Sequence, residues 1–537
     1  MTFPRPSVVP LGALLLVAAG TLAGCNPSRA PQGSTDIALR ERVDLPASGP
    51  ACPVRRLLGI KDDPVLRGRA LFENHCATCH GRVGDGAGPA AVHLNPRPRD
   101  FRSGQFKVRS TATMPTDADL YQVVSTGMPG SSMPAFGFLS EQQRRDLVAY
   151  VKHLSSTVED GREVRWFEEA QPLVPLALPP PPPAAETAVA TGRDAFLKHG
   201  CNACHGEEGR GDGPQAATMR DTKGFPLRPR DLHDDRFIGG ERTEDIYKRI
   251  ALGIAGTPML GYPDAAMPPT ERWALVEYIR SLRSPATAPP PVPASPALAS
   301  ITVPRATVPA SPSDAAWDRL PASSVEVSPV WRLPGTSRRV SVRAVHDTQS
   351  ISVLLEWDNP LPHRAPVRVQ DFEDAAALQF ALTNEVGSIA MGDSRHPVNL
   401  WRWRASRALQ TSDAYPQLFT LGETGPRLRI TAQEAGNPTG TVAAGAAEDL
   451  NASGFGTLSA QPAAQQDVRA EGQWRDGRWR VQLTRALAPA SPLDVSLLPG
   501  HEVPVALAIW DGRTGDRNGR KSFSTWLTLR LVSDTQP

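Results

Sequence analysis

Two five-residue segments carry the most specific chemistry in the chain, Cys76-Ala77-Thr78-Cys79-His80 and Cys201-Asn202-Ala203-Cys204-His205. Two thiols spaced by two residues, with an imidazole directly after the second, form the attachment signal for c-type haem. The thiols add to the vinyl groups, and the adjacent histidine is placed under the iron. A dithiol redox pair does not require that histidine. A zinc site needs further Cys or His ligands, and neither segment has a second Cys pair nearby. The expectation is two covalent haem c groups, on Cys76 and Cys79 and on Cys201 and Cys204, with His80 and His205 as axial ligands. The sixth ligand must come from farther along the chain. Met114, Met128 and Met133 compete in the first segment, and Met259 and Met267 in the second, with Met219 upstream. Met133 and Met259 lie 53 and 54 residues after their histidines, at equivalent positions, and are the expected ligands. The other methionines read as packing.

The surrounding elements repeat as well. Gly84-Asp85-Gly86 returns as Gly211-Asp212-Gly213, Pro-Arg-Asp at 98–100 returns at 229–231, and Gly127–Met133 returns as Gly253–Met259. Each copy closes with an amphipathic helix, around Leu147–Leu154 and Leu275–Leu282. Together these features resemble class I cytochrome c domains, an all-α fold. The resemblance implies that the carbonyls of Pro89 and Pro214 orient the proximal histidines. It also offers Arg97, Arg99, Arg228 and Arg230 as partners of haem propionates, against surface placement. His75 and His199 are out of register with each other and read as helix-surface residues. His–Met ligation favours electron transfer and leaves no open iron position, so a di-haem peroxidase is a minor alternative.

After about residue 313 the periodicity changes. Ile351, Val353, Leu355 and Trp357 alternate with polar or opposite-facing residues, and Val505–Trp510 and Phe523–Leu531 continue the strand signal. This part reads as a mostly antiparallel β-sandwich-like domain. Its single methionine and single lysine fall in Ser388-Ile-Ala-Met391-Gly-Asp393 and Gly519-Arg-Lys521-Ser-Phe. With Leu355-Glu-Trp357-Asp358 and Pro397-Val-Asn-Leu-Trp401-Arg-Trp403, these segments resemble the haem b subunit of ethylbenzene dehydrogenase and related type II dimethyl sulfoxide reductase family enzymes. The resemblance implies one non-covalent haem b held between Met391 and Lys521. The competing reading is a carbohydrate-binding-like sandwich with Met391 in the core and Lys521 on the surface. His346, His363, His396 and His501 are alternative ligands, His396 being nearest to the methionine motif. Long loops are expected over 404–470.

An apolar run over residues 8–20 ends at Leu22-Ala23-Gly24-Cys25, which resembles a bacterial lipobox with Cys25 as the lipidated residue. The expected organisation is multidomain. A lipoprotein signal peptide (1–24) and a tether (25–58) precede cytochrome c domain 1 (59–156). A Pro-rich linker (157–191), cytochrome c domain 2 (192–283), a Pro/Ala linker (284–312) and the haem b domain (313–537) follow. The linkers, in a chain with 54 prolines, would let the cytochrome modules reach toward a partner. Cys52, in the tether, has no evident partner. The net charge of +2 excludes nucleic-acid binding through bulk charge. The sequence thus points to an electron-transfer subunit with no catalytic residues of its own, on the periplasmic side of a bacterial membrane and anchored by lipid. Its expected partners are a molybdopterin catalytic subunit, an iron–sulfur subunit, and a periplasmic cytochrome c or terminal oxidase. The alternative is an independent dihaem carrier whose β domain holds no haem and binds a ligand or mediates adhesion.

Overall fold

A computed structural model of the chain describes residues 63–183, 186–233, 236–283, 299–331, 338–364, 370–383, 385–410, 446–489 and 491–533. The expected signal peptide, Cys25, the tether with Cys52 and the linker at 284–298 lie outside these residues. Among the described residues no helix is long and apolar enough to cross a membrane.

Each cytochrome module is built on three helices. In the first, α1 spans Pro64–His75, α2 Asp117–Thr126 and α3 Glu141–Leu154. The sequence starts them clearly. Asp63 accepts from Val65 N before a proline at the first helical turn, and Thr116/Asp119 and Ser140/Gln143 form reciprocal capping boxes. The second module repeats the set as α4 (Ala188–Lys198), α5 (Thr243–Leu252) and α6 (Pro269–Ser281). First and last helices cross at a glycine in both copies. A Cβ on Gly68 would lie 2.0 Å from Asp146 O, and one on Gly192 would lie 2.0 Å from Ala274 O. Each module keeps its own core, centred on Phe72, Leu147 and Tyr150 in the first and on Phe196, Tyr247 and Val276 in the second.

The segment expected as a free Pro-rich linker is instead packed down. It begins with a hairpin, β1 (Ser156–Glu159) against β2 (Arg162–Arg165). Phe167 then meets Phe106 edge-on at 5.6 Å. Farther on, Leu176 N donates to Ser110 O at 2.7 Å in the first module, and Pro179 O accepts from Trp273 Nε1 at 3.2 Å in the second. Extended proline-rich chain leaves its backbone groups unpaired, so neighbouring groups can bind them and turn a spacer into a strap.

Among the described residues the C-terminal domain carries thirteen strands in one antiparallel-dominated sheet that folds over on itself. Its first half runs through β3 (Ser300–Val303), β4 (Ser323–Pro329), β5 (Arg338–His346) and β6 (Ser350–Asp358). Next come β7 (Ala375–Ala381), β8 (Val398–Arg404), β9 (Ala447–Ala452) and β10 (Ser459–Ala460). The last are β11 (Arg469–Arg475), β12 (Arg478–Ala486), β13 (Glu502–Trp510), β14 (Ser522–Phe523) and β15 (Leu527–Leu531). The one parallel pair is β15 with β3. Trp357 on β6 and Trp479 on β12 meet Trp403 on β8, with ring centroids 6.5 and 4.8 Å apart, so two layers close over a tryptophan core. Of the region expected to be long loops, β9 and β10 take up 447–452 and 459–460, and residues 411–445 lie outside the described residues.

The three folded parts touch one another. Arg249 Nη1 donates to Lys107 O at 2.8 Å and Arg109 Nη2 to Leu252 O at 2.7 Å, joining the two cytochrome modules. Asn95 N and Ser132 Oγ donate to Val330 O at 2.8 and 3.0 Å, joining module 1 to the β domain. Arg236 Nη1 lies 2.6 Å from Glu326 Oε2, joining module 2 to the β domain. The expectation that the linkers let the cytochrome modules reach outward toward a partner is therefore corrected. The modules are docked.

Candidate haem sites and a shared cavity

In each module the Cys-x-x-Cys-His segment forms one short helical turn, Ala77–His80 and Asn202–His205, ended by a glycine at φ 76° and 80°. A side chain at Gly81 or Gly206 would strike the Asp85 or Asp212 carboxylate, 2.0 Å from the added carbon in both cases. The imidazoles are fixed from behind. His80 Nδ1 donates to Arg99 O at 3.0 Å and His205 Nδ1 to Arg230 O at 3.1 Å. Those bonds leave Nε2 as the free ring nitrogen in both rings. The orienting carbonyls expected on Pro89 and Pro214 are thus corrected to Arg99 and Arg230, and both prolines are exposed. Burial holds the His80 imidazole neutral, pushing its pKa down to about 4, and acts in the same direction on His205.

The methionine loops also match. Met128 N donates to Met133 O, and Ile254 N to Met259 O, each at 3.0 Å. Gly127 and Gly253 open the loops at φ 69° and 66°, where a Cβ would come within 2.7 and 2.6 Å of those same methionine carbonyls. Met114 and Met267 are core residues, 3% and 0% exposed.

Among the four expected propionate partners, Arg99 and Arg230 stand at the seam between modules. Arg99 Nη2 crosses to Ala255 O of the second module at 3.2 Å. A Cβ on Gly130 of the first module would lie 2.8 Å from Arg230 Nη1. Arg99 Nε and Arg230 Nη1 are buried with no acceptor. A buried guanidinium nitrogen without a partner is costly, so both suit an anionic group. Arg97 stacks over Phe225 at 4.9 Å, and Arg228 is exposed.

One cavity of about 220 Å³, partly open to solvent, runs from module 1 into the β domain. His80, Cys76, Cys79 and Met133 line it from one side, and Met391 and Lys521 from the other. Met391 follows β7 in a tight loop. Gly454 N donates to its carbonyl at 2.9 Å, and Gly392 N to Ser388 O at 2.8 Å. Its φ is 74°; the other described non-glycine residues with positive φ, Asp160, Asp476 and Asn518, are the types that tolerate it. A methionine held there marks a constrained position. Lys521 precedes β14. Its Nζ lies 5.2 Å from the centre of the Trp510 ring, and burial, then Arg402, push its pKa down to about 8. The walls between are largely apolar, as a porphyrin face requires. None of His346, His363, His396 and His501 lines this cavity. His396 Nδ1 is taken by Asp393 at 3.0 Å, and both His346 nitrogens by backbone carbonyls at 2.9 Å.

Two residues of this region were not legible beforehand. Lys107 lines the cavity with its pKa pushed down to about 7 by burial, then by Arg99 and Arg230. It has no counterpart in the repeat, so no pattern flagged it. His75, expected on a helix surface, faces the junction instead. Its ring meets Phe138 at 5.6 Å, its Nδ1 is buried without a partner, and burial lowers its pKa to about 4. His199 is also partly covered, 3.2 Å from Glu271.

Comparison with known proteins agrees with this division. Residues 314–522 match the ethylbenzene dehydrogenase family, and residues 65–155 and 189–283 match the cytochrome c family. A Haloferax mediterranei protein named as a respiratory nitrate reductase heme subunit is 30% identical over 41% of this chain and 67% of its own length. The chlorate reductase subunit gamma of Ideonella dechloratans is 24% identical over 41% of this chain and 80% of its own. The dimethylsulfide dehydrogenase subunit gamma of Rhodovulum sulfidophilum is 26% identical over 43% and 78%. Cytochrome c domains carry covalent haem c, and these relatives are named as heme or gamma subunits rather than catalytic ones. The chain belongs to the ethylbenzene dehydrogenase family, with two cytochrome c domains ahead of its family domain.

Proposed function

We propose that this chain is a three-haem electron-transfer subunit, relaying electrons between a molybdopterin oxidoreductase and a periplasmic carrier or oxidase. Bound haem supplies a one-electron Fe(III)/Fe(II) couple at each site. The chain's own residues set what that couple does. Cys76, Cys79, Cys201 and Cys204 anchor two haem c groups. His80 with Met133, and His205 with Met259, would hold the iron of each haem c, and filling both positions would keep small oxidants from it. Met391 and neutral Lys521 hold one haem b. Arg99 and Arg230, at the seam between modules, would pair with propionates. The single observation that carries this reading is the continuous cavity with His80 and Met133 on one side and Met391 and Lys521 on the other.

The relatives' names support an oxidoreductase complex as the partner, because each is named as a subunit of a reductase or dehydrogenase. A catalytic subunit and an iron–sulfur subunit then complete the assembly. Cys25, at the end of the leader, places the protein on the periplasmic face of a membrane through lipid. A pyridine haemochrome assay before and after acid-acetone extraction tests the haem set. Two covalent haems plus one extractable haem b per chain support the relay. Two covalent haems and nothing extractable, from cells supplied with ample haem, leave a dihaem carrier with a haem-free β domain.

A further inference from the structure

Behind the cavity wall, on the opposite face of β8, three carboxylates converge. Leu400 on β8 lines the cavity, so its neighbours Asn399 and Trp401 point the other way. Trp401 pairs in register with Asp449 on β9. One carboxylate oxygen from each of Asp449, Asp467 and Asp494 lies within 4.8 Å of the other two. Asp449 is 0% exposed and Asp494 is 6% exposed. The nearby cation is Arg485, whose Nη1 is 3.8 Å from Asp494 Oδ1. Three ionised carboxylates against one guanidinium would leave two negative charges in the protein interior, where like charges repel strongly.

The hydrogen bonds do not resolve this. Asn399 Nδ2 and Gln461 Nε2 donate to Asp449 Oδ1 at 2.6 and 3.1 Å. Gln461 Nε2 and Ser491 N donate to the two oxygens of Asp494 at 2.6 and 3.1 Å. Asp449 Oδ2, Asp467 Oδ1 and Gln461 Oε1 are buried and receive nothing. Gln461 is only 4% exposed, and its amide already sits between two of the carboxylates. Turned over, the same amide places its oxygen among them, and amide orientation follows whatever the site binds. Buried acceptors rarely stay unpaired. The donor set is all oxygen, irregular and doubly negative, with no nitrogen or sulfur ligand. That combination suits a hard divalent cation of flexible geometry.

We propose that Asp449, Asp467 and Asp494, with the side-chain oxygen of Gln461, bind one Ca²⁺ ion. The ion neutralises the two excess charges and ties β9 to the segments carrying Gln461, Asp467 and Asp494. Just after β9, Gly454 N holds the Met391 carbonyl. The ion therefore braces, through one strand, the loop that presents Met391. Without a cation, burial and Asp494 hold the Asp449 carboxyl well above its ordinary range, and a proton shared with Asp467 is the rival way to discharge the cluster.

The test uses the full haem-loaded chain. Elemental analysis after purification without chelator should give one calcium per chain beside the iron. EGTA should remove it and lower the melting temperature, and Ca²⁺ should restore both where equal Mg²⁺ does not. Asp449 is fully buried and its variants risk misfolding, so the informative substitution is at half-buried Asp467. Asp467→Asn should weaken Ca²⁺ binding by about tenfold or more while the haem c spectrum stays intact. Three results overturn the proposal. They are no calcium after dialysis against excess Ca²⁺ with a melting temperature unmoved by EGTA, equal rescue by Mg²⁺, or Ca²⁺ binding unchanged in Asp467→Asn.

Discussion

Under the proposed function Lys521 must be uncharged to donate to iron, and burial in this fold already favours that form. An ordinary lysine at pH 7, with its pKa at 10.5, spends about 5 kcal/mol on losing its proton, at about 1.4 kcal/mol per pH unit. With its pKa pushed down to about 8, Lys521 needs about 1 kcal/mol. The difference, about 3 kcal/mol, is the pre-organisation that burial supplies to haem b binding. The sign follows for stability as well. Because the folded pKa is below the unfolded one, the unfolded chain holds more protons between about pH 8 and pH 10.5. A chain lacking haem b should therefore become more stable as pH rises through that window. The direct assay titrates protohaem into full chain that carries its covalent haems but was made with protohaem limiting, from about pH 6 to pH 9. Apparent affinity should climb about tenfold per unit up to pH 8 and then level off. Lys521→Met, whose thioether carries no proton in this range, should keep the haem c spectrum and lose the slope. The same slope in Lys521→Met, or affinity that falls with rising pH, refutes the reasoning.

Other outcomes follow from the same geometry. Met133→Ala and Met259→Ala should each leave two covalent haems in the haemochrome assay while shifting one haem c component in a potentiometric titration. A shift of both components by one substitution would contradict independent axial sites. Gly68→Ala forces a Cβ to within 2.0 Å of Asp146 O and should cost about 1–3 kcal/mol in thermal unfolding. Gly192→Ala, with the same 2.0 Å approach to Ala274 O, should cost a similar amount, since the two crossings repeat. The Arg236–Glu326 pair joins module 2 to the β domain with side chains 15% and 35% exposed. A double-mutant cycle should find coupling of about 1 kcal/mol or less that shrinks as salt is added, and zero coupling at low salt would argue against docking through this pair.

The Cys-x-x-Cys-His segments stand out in the sequence because the spacing that covalent haem attachment needs is local. Their repeat then points to Met133 and Met259 among the competing methionines. The cavity wall around Met391 and Lys521 was legible only through resemblance, since two lone residues 130 apart carry no pattern of their own. What the sequence concealed was contact between domains. Prolines at 179–183 read as a spacer, yet the backbone around them binds Ser110 and Trp273. His75 read as surface because helix periodicity knows nothing of a neighbouring domain. The orienting carbonyls were assigned to Pro89 and Pro214 by analogy, whereas the fold brings round those of Arg99 and Arg230.

The shared cavity also sets an order of assembly. Cys76 and Cys79 line the same space as Met391 and Lys521, and module 1 reaches the β domain through Asn95, Ser132 and Ala135, whose carbonyl accepts from Thr525 Oγ1 of the β domain at 2.8 Å. Whatever attaches haem to those cysteines has more room before module 1 docks, because the β domain then shares the space they line. The β domain, made alone, would lack one wall of its own cavity. Swapping or trimming the cytochrome modules is then not a change of accessory but a breach of that chamber, and loss of the extractable haem should be its first sign.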